Sequence, residues 1–397
     1  MNRRPIVLIF LRWYLPGYKS GGPVRSVANF VDELGDKFDF RIVTSDRDSL
    51  DKEPYQDILV DGWNTIGKAT VYYASPKTLS LTGVSKLIKA TRYDTLYLNS
   101  FFDLTFTGIP VLYCKFFSEK RIPIIISQRG EFSSGALEIF PFKKMLFIKL
   151  VIFLGLCKDF IWHATSDLES EDIKRIVGVG EDKIVVARNL PEKANILGVS
   201  SNNKKYNLNK EPIRLVFLSR ISFKKNLDYA LSILEKIKIP LIFDIYGVID
   251  DDKYWNACQK KISHMPANII VEYKGAVPHE DVISVLSTYD LFFFPTQGEN
   301  YGHVIAEAMI AGLPVLISDQ TPWSDIENLG VGFVKKLEDR DGFIDTIQKF
   351  SAMSDIDRWK LSDRIIYYVQ NTVTNKGDIE AHSQLFILSV DKPRIRN

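Results

Sequence analysis

Two carboxylates, Glu299 and Glu307, stand eight positions apart in the run Pro295-Thr296-Gln297-Gly298-Glu299-Asn300-Tyr301-Gly302-His303-Val304-Ile305-Ala306-Glu307. On one continuous helix, eight steps turn by about 80°. Two settings fit better: Glu299 on a loop, Glu307 in the first turns of a helix. A buried-strand pattern, Leu291–Phe294, leads into the run. Amide N–H groups at a helix start favour an anion, and a carboxylate beside them accepts hydrogen bonds from sugar hydroxyls. A sugar joined to a phosphate suits both. A glutamate pair alone would fit a solvated surface equally well. The Gly-Glu-Asn-Tyr-Gly-His frame, with Asn300, Tyr301 and Gly302, sharpens the reading.

Two cations, Arg220 and Lys225, follow another apolar run, Arg214–Leu218, in Ser219-Arg220-Ile221-Ser222-Phe223-Lys224-Lys225-Asn226-Leu227-Asp228. Leaving a strand end at a helix start, they can neutralise a diphosphate leaving group. Near the N-terminus, Gly21 and Gly22 lie between a first strand and a helix, and paired glycines let backbone approach a ligand closely. Ser127-Gln128-Arg129-Gly130 follows a further strand, and Arg129 is a candidate partner for sugar or acceptor. The bland alternatives are solvated cations and a plain flexible connection.

Elements must hold these residues. Short apolar, β-branched-rich runs recur, among them Ile6–Phe10, Phe40–Thr44, Thr95–Leu98, Phe160–Ala164, Leu241–Tyr246 and Ile269–Tyr273. Most are continuously apolar, as in strands buried on both faces. Helix-like stretches such as Val24–Leu34 and Ser166–Ile176 lie between them. Strand alternating with helix gives a doubly wound parallel sheet. The polar, Asn- and Lys-rich stretch 198–212 interrupts the pattern near the midpoint. The expected organisation is an N-terminal Rossmann-like domain, 1–197, a linker, 198–212, and a C-terminal Rossmann-like domain, 213–397, facing a cleft. A final helix within Asp355–Thr372 is expected to pack back across the junction.

Composition excludes much. Lys plus Arg number 51 against 49 Asp plus Glu, a net charge of +2, which gives no support to nucleic-acid binding. Three cysteines without CxxC spacing suggest neither a disulfide framework nor a zinc site. No P-loop, HExxH or GxSxG occurs, and the first strand is not followed by GxGxxG. Gly178-Val179-Gly180 reads as a helix-ending turn, Asp250-Asp251-Asp252 as a solvated loop, and His163 as structural. The five histidines show no metal-ligand spacing, and no metal or resident cofactor is expected. Ile6–Leu11 reads as a strand rather than a signal-peptide core. The almost wholly apolar 145–157, surrounded by Lys143, Lys144, Lys149 and Lys158, is too short to span a bilayer. It reads either as a buried helix or as one lying on a membrane face.

The sequence resembles the family 4 glycosyltransferases, retaining enzymes of GT-B fold. Glu299 and Glu307 match the E-x7-E signature, and Arg220 and Lys225 match the R-x4-K segment. Gly17-to-Ser26 is similar to the loop that lies under the donor's phosphates. Arg129-Gly130 stands where many relatives have His-Gly, and Arg188-Asn189-Leu190-Pro191 where they have Pro-Asn-Gly. The resemblance implies a UDP- or GDP-linked sugar donor and transfer with retention to a glycan or lipid-linked glycan. The closest resemblance is to bacterial surface-polysaccharide (lipopolysaccharide or capsule) enzymes, in the cytoplasm or peripheral on the inner membrane face. It puts the acceptor on the N-terminal domain, 1–197, and the nucleotide sugar on the C-terminal domain, 213–397, where Arg220, Lys225 and Glu299 would serve catalysis. Gly21, Gly22, Arg129, Asn300, Tyr301, Gly302 and Glu307 would bind donor. A GT-B-like UDP-sugar 2-epimerase and a catalytically silent nucleotide-sugar-binding protein are the alternatives.

Overall fold

A computed structural model describes residues 3–119, 121–138, 140–191, 212–373 and 376–391. The expected linker lies outside these, apart from Pro212. The described residues divide into two compact units, one running to Leu190 and taking in helix Lys376–Asp391, the other running from Pro191 to residue 373.

The first unit is built on strands β1 (Ile6–Phe10), β2 (Asp39–Ser45), β3 (Trp63–Ile66), β4 (Ala69–Ala74), β5 (Thr95–Asn99), β6 (Ile124–Ser127), β7 (Phe160–Ala164) and β8 (Ile184–Val186). They form one sheet in the order β3-β4-β2-β1-β5-β6-β7-β8. All neighbours are parallel except the edge hairpin β3–β4, a departure from the wholly parallel sheet expected. Alternate residues of a strand face opposite ways, and β1 shows the consequence. Val7 and Ile9 join one core with Val24, Val27 and Phe30 of helix Gly22–Leu34. Leu8 and Phe10 join a second core with Val84, Ile88 and Ile173. A strand covered on both faces must be apolar throughout, which is why IVLIF shows no alternation.

The second unit's strands are β9 (Ile213–Leu218), β10 (Leu241–Tyr246), β11 (Ile269–Gly275), β12 (Leu291–Phe294), β13 (Val315–Ser318) and β14 (Phe333–Lys335). Their order, β11-β10-β9-β12-β13-β14, is wholly parallel. The order reverses direction between β9 and β12, where such sheets bind ligands beyond the strand ends. Helix Asp355–Tyr368 stays with this unit, with Leu361 and Ile365 in its core and Ser362 Oγ donating to Gly312 O at 2.6 Å. The helix that returns to the first unit is the next one, Lys376–Asp391, a correction to both the expected returning helix and the expected domain limit. Its Leu385 and Phe386 enter the first core, and its Ser389 hydroxyl pairs with Thr95 at 2.8 Å.

That helix also brings His382 to His163, their rings 5.2 Å apart and fully buried. His163 bonds Tyr97 OH at 2.9 Å and Ala187 O at 2.8 Å, which fits its structural reading. Burial pushes both imidazole pKa values down, His382 to about 4, and Arg129 adds to the effect. The native state therefore holds both rings neutral, while the unfolded chain protonates them below about 6.5. Stability from these rings is complete above that pH and is lost as pH falls toward 4, by up to about 1.4 kcal/mol per pH unit per ring. Denaturant unfolding at pH 7 and pH 5 should show this slope, and His382→Gln should reduce it. Glu131, raised by burial, works in the opposite sense, so the variant-to-native difference is the informative quantity. Equal slopes would refute a histidine origin.

Candidate functional site

The second unit's candidate residues follow the C-terminal ends of β9 and β12, against the loop after β10. After β9 the chain makes a single 3-10 turn, Phe223–Lys225, then a left-handed residue, Asn226, before helix Leu227–Leu234. The buried Asn226 side chain donates to Pro295 O at 2.9 Å and accepts from Gln297 Nε2 at 3.3 Å. Gln297 N donates to Lys224 O at 3.0 Å. The two loops are thereby fastened together, and their charged side chains meet. Lys225 Nζ contacts Glu299 Oε1 directly, with both side chains largely buried, and the ammonium lies 5.7 Å from the Phe294 ring centre. Thr296 Oγ1 lies 3.3 Å from the same carboxylate oxygen. Sequence spacing gave these two residues separate duties; the fold makes them one ion pair.

Arg220 is held from another side. Its guanidinium donates to Asp250 at 3.2 Å. Ser219 N bonds Tyr246 O, Ile221 N bonds Val248 O and Asp250 N bonds Ile221 O. The approach depends on Gly247, at φ +142°, where a Cβ would sit 1.8 Å from Ser219 O. The Asp250–Asp252 loop is thus more than a solvated turn: Asp250 pairs with Arg220, and Asp251 caps helix Asp252–Ile262 through the N–H groups of Lys253 and Tyr254. Lys224, not singled out by its spacing, lies in the same field. Partial burial and the charges of Lys225 and Arg220 lower its pKa, while Glu299 opposes them.

Glu299 sits on the loop and Glu307 is the fifth residue of helix His303–Ile310. Gly302 caps that helix at φ +80°, and a Cβ there would lie 2.8 Å from Ile305 Cδ1. Trp323 holds the frame from above, its indole N–H bonded to Tyr301 O and its ring centre 5.5 Å from the Tyr301 ring. Tyr301 in turn stacks edge-on to His303 at 4.7 Å. Glu307 Oε1 lies 3.8 Å from His279 Nδ1, at the start of helix His279–Leu286. No local signal joins these two residues; only the β11-to-β12 crossover brings them together.

Gly21, Gly22 and Arg129 belong to the first unit. Asp48, itself buried, accepts from Tyr18 N at 2.8 Å and Lys19 N at 3.0 Å, shaping the loop before Gly21. Gly21 is left-handed at φ +70°, and Gly22-Pro23 opens helix Gly22–Leu34 without a side-chain cap. Arg129, also at positive φ, is engaged on every nitrogen: Nε to Asn99 at 2.7 Å, Nη1 to Asn189 at 2.8 Å and Nη2 to Tyr97 OH at 2.9 Å. These bonds use three of its five N–H donors and hold the guanidinium in place. Beside it, Glu131 accepts from Ser100 Oγ and Phe101 N, each at 2.6 Å, a role that its sequence position does not announce. Gly178 ends helix Asp167–Val177 in a left-handed cap, as its sequence context suggests. Among the described residues there is no group of three or more His, Cys, Asp or Glu able to hold a metal ion.

The family model described as glycosyl transferases group 1 matches residues 199–372. A protein from the cps region of Klebsiella pneumoniae, described as an uncharacterized 41.2 kDa protein, is 22% identical over 305 residues, 72% of this chain and 80% of that one. Two further curated relatives align over 18% and 21% of their own length. Among solved structures, WaaG, a glycosyltransferase involved in lipopolysaccharide biosynthesis, superposes with a TM-score of 0.66 at 13% identity, covering 96% of this chain and 99% of WaaG. HepE from Anabaena, solved in complex with UDP and glucose, gives a TM-score of 0.69 at 14% identity, covering 98% and 100%. The chain has the GT-B fold, shared with WaaG and HepE over nearly its whole length, and residues 199–372 carry the likeness to the glycosyl transferases group 1.

Proposed function

We propose that this protein is a retaining glycosyltransferase that moves a sugar from a UDP- or GDP-linked donor to a glycan acceptor, lipid-linked, in surface-polysaccharide synthesis on the inner face of the membrane. The observation that carries the reading is the Lys225–Glu299 pair, set at the β9 and β12 strand ends inside the E-x7-E frame. Arg220 and Lys225 stabilise charge growing on the diphosphate as the bond from the sugar's anomeric carbon to its leaving oxygen breaks. The acceptor hydroxyl bonds to that carbon on the same face, and its proton passes to the departing diphosphate. Glu299 holds the sugar with backbone N–H groups of Asn300 to Gly302, and Glu307 takes the ribose hydroxyls. Gly21 and Gly22 admit the donor phosphates to the first unit's backbone, while Arg129 fixes the turn after β6. This chemistry calls on no resident cofactor. The cps-region relative and WaaG support the surface-glycan setting.

Isotope-labelled donors incubated with and without lipid-linked acceptor test the reading. Label should move to the lipid-linked product with the donor's anomeric configuration kept. An isomerised nucleotide sugar formed without acceptor would point to the epimerase, and binding without turnover to a silent relative.

A further inference from the structure

Helix Pro141–Phe153 is apolar almost all the way round, yet it buries only one face. Ile148 is fully buried, and Met145, Phe147 and Val151 pack partly against the core. This overturns the reading of the stretch as a buried helix. At 100° per residue, Phe142, Leu146, Leu150 and Phe153 fall within an arc of about 80°. All four are exposed, Phe142 by 80% and Phe153 by 87%. Phe140 and Leu154 extend the stripe at its ends. Helix Ile109–Phe116 adds to it. Lys115 Nζ donates to Gly155 O at 3.0 Å, fixing the two helix ends side by side, and Phe116 and Phe117 beyond it are exposed.

Along the helix and the turn after it the charge has one sign. Residues 140–158 contain four lysines and no acid. Lys144 turns inward to Ala136 O and the Phe102 ring. Lys143, Lys149 and Lys158 are exposed, Lys149 within about 20° of the stripe's edge. Exposed acids stand only beyond its ends, Glu138 two residues before Phe140 and Glu119 two after Phe117, and Asp159 is paired with Lys115. An exposed apolar stripe rimmed by cations needs a partner that takes rings and neutralises ammonium groups together. A second copy brings the same lysines to a two-fold interface, so like charges would face each other. An anionic bilayer surface supplies both needs: an acyl boundary for the rings and lipid phosphates for the lysines.

We infer that this face docks the first unit on an anionic lipid surface, with Phe142, Leu146, Leu150 and Phe153 at the headgroup–acyl boundary and Phe116-Phe117 beside them. Thirteen residues make a helix of about 20 Å, too short to span, and among the described residues no helix is long and apolar enough to cross a membrane. The inference deepens the membrane side of the proposed function, but lipid binding needs no donor, so the two fail separately.

Full-length protein floated with phosphatidylcholine vesicles, with and without phosphatidylglycerol, gives the test. Binding should require the anionic lipid and weaken at high salt. Phe142→Ser with Phe153→Ser should weaken it about tenfold or more, and so should Phe116→Ser with Phe117→Ser on the other helix. Lys143→Gln with Lys149→Gln should remove much of the salt dependence. Melting curves identify any variant that fails to fold, and the second phenylalanine pair then decides. Wild-type protein that ignores anionic vesicles, phenylalanine variants that bind as well as wild type, or a concentration-dependent dimer broken by Phe142→Ser would each overturn the inference. Loss of sugar transfer with vesicle binding intact would refute the proposed function and leave this one standing.

Discussion

Lys225→Ala and Arg220→Ala should each lower turnover by about 10²–10³-fold, the effect of removing one preorganised charge stabiliser. The loss belongs in kcat, because the charge these groups meet grows as the bond to diphosphate breaks. The two variants should differ in stability. Arg220 and Asp250 are both well exposed, so their separation costs little. Lys225 and Glu299 keep only 14% and 12% of their side-chain surface in solvent. Removing the ammonium leaves a largely buried carboxylate with the Thr296 hydroxyl beside it, a cost of about 1–3 kcal/mol. Glu307→Ala should instead raise KM, because a ribose contact exists before and during reaction. Steady-state kinetics on the three variants, read beside melting curves, decide this. If all three keep near wild-type turnover and donor affinity, the site assignment is wrong and the resemblance describes only the fold. If Lys225→Ala melts like wild type, the ion pair contributes nothing to the fold.

What was legible in the sequence had a local cause. Leu291–Phe294 and Ile6–Phe10 are strands over the expected residues because burial on both faces forces continuous apolar runs. The loop setting of Glu299 and the helical setting of Glu307 follow from the glycine frame, in which Gly302 starts the helix at positive φ. The edge strand Trp63–Ile66 was illegible: WNTI is short and partly polar, and its pairing depends on the turn at Gly67 and on β4 being in place. The His279–Glu307 approach spans 28 positions and exists only through the crossover. The engagement of Arg129 by Tyr97 and Asn99 of β5 and by Asn189 comes from two distant segments, so no motif could announce it. Helices Asp355–Tyr368 and Lys376–Asp391 both carry apolar faces. Which core each joins is decided by the partners available, and periodicity within a helix carries no such information.

Phe386 is where that choice is made, and Phe386→Ala should cost about 3–5 kcal/mol. The ring is wholly buried, with its centre 5.5 Å from Phe30, 5.3 Å from Phe38, 5.4 Å from Phe40 and 6.0 Å from Tyr97. These neighbours belong to helix Gly22–Leu34, the turn after it, β2 and β5, so the cavity would open at a junction of four segments. Rings fixed on a sheet and on a helix cannot close such a gap without moving backbone, and the cost is set toward the upper end of the large-to-small range. Against a typical total of about 5–15 kcal/mol this is a large share. Phe386→Leu should cost less, because it refills part of the volume. Denaturant unfolding measures the loss, and amide exchange locates it. Ser389 bonds Thr95 on β5, a strand in the middle of the sheet, so protection should fall across the first unit as a whole. Exchange that accelerates only within residues 376–391 would show instead that the helix unlatches by itself. Unchanged unfolding would mean that Phe386 does not anchor it.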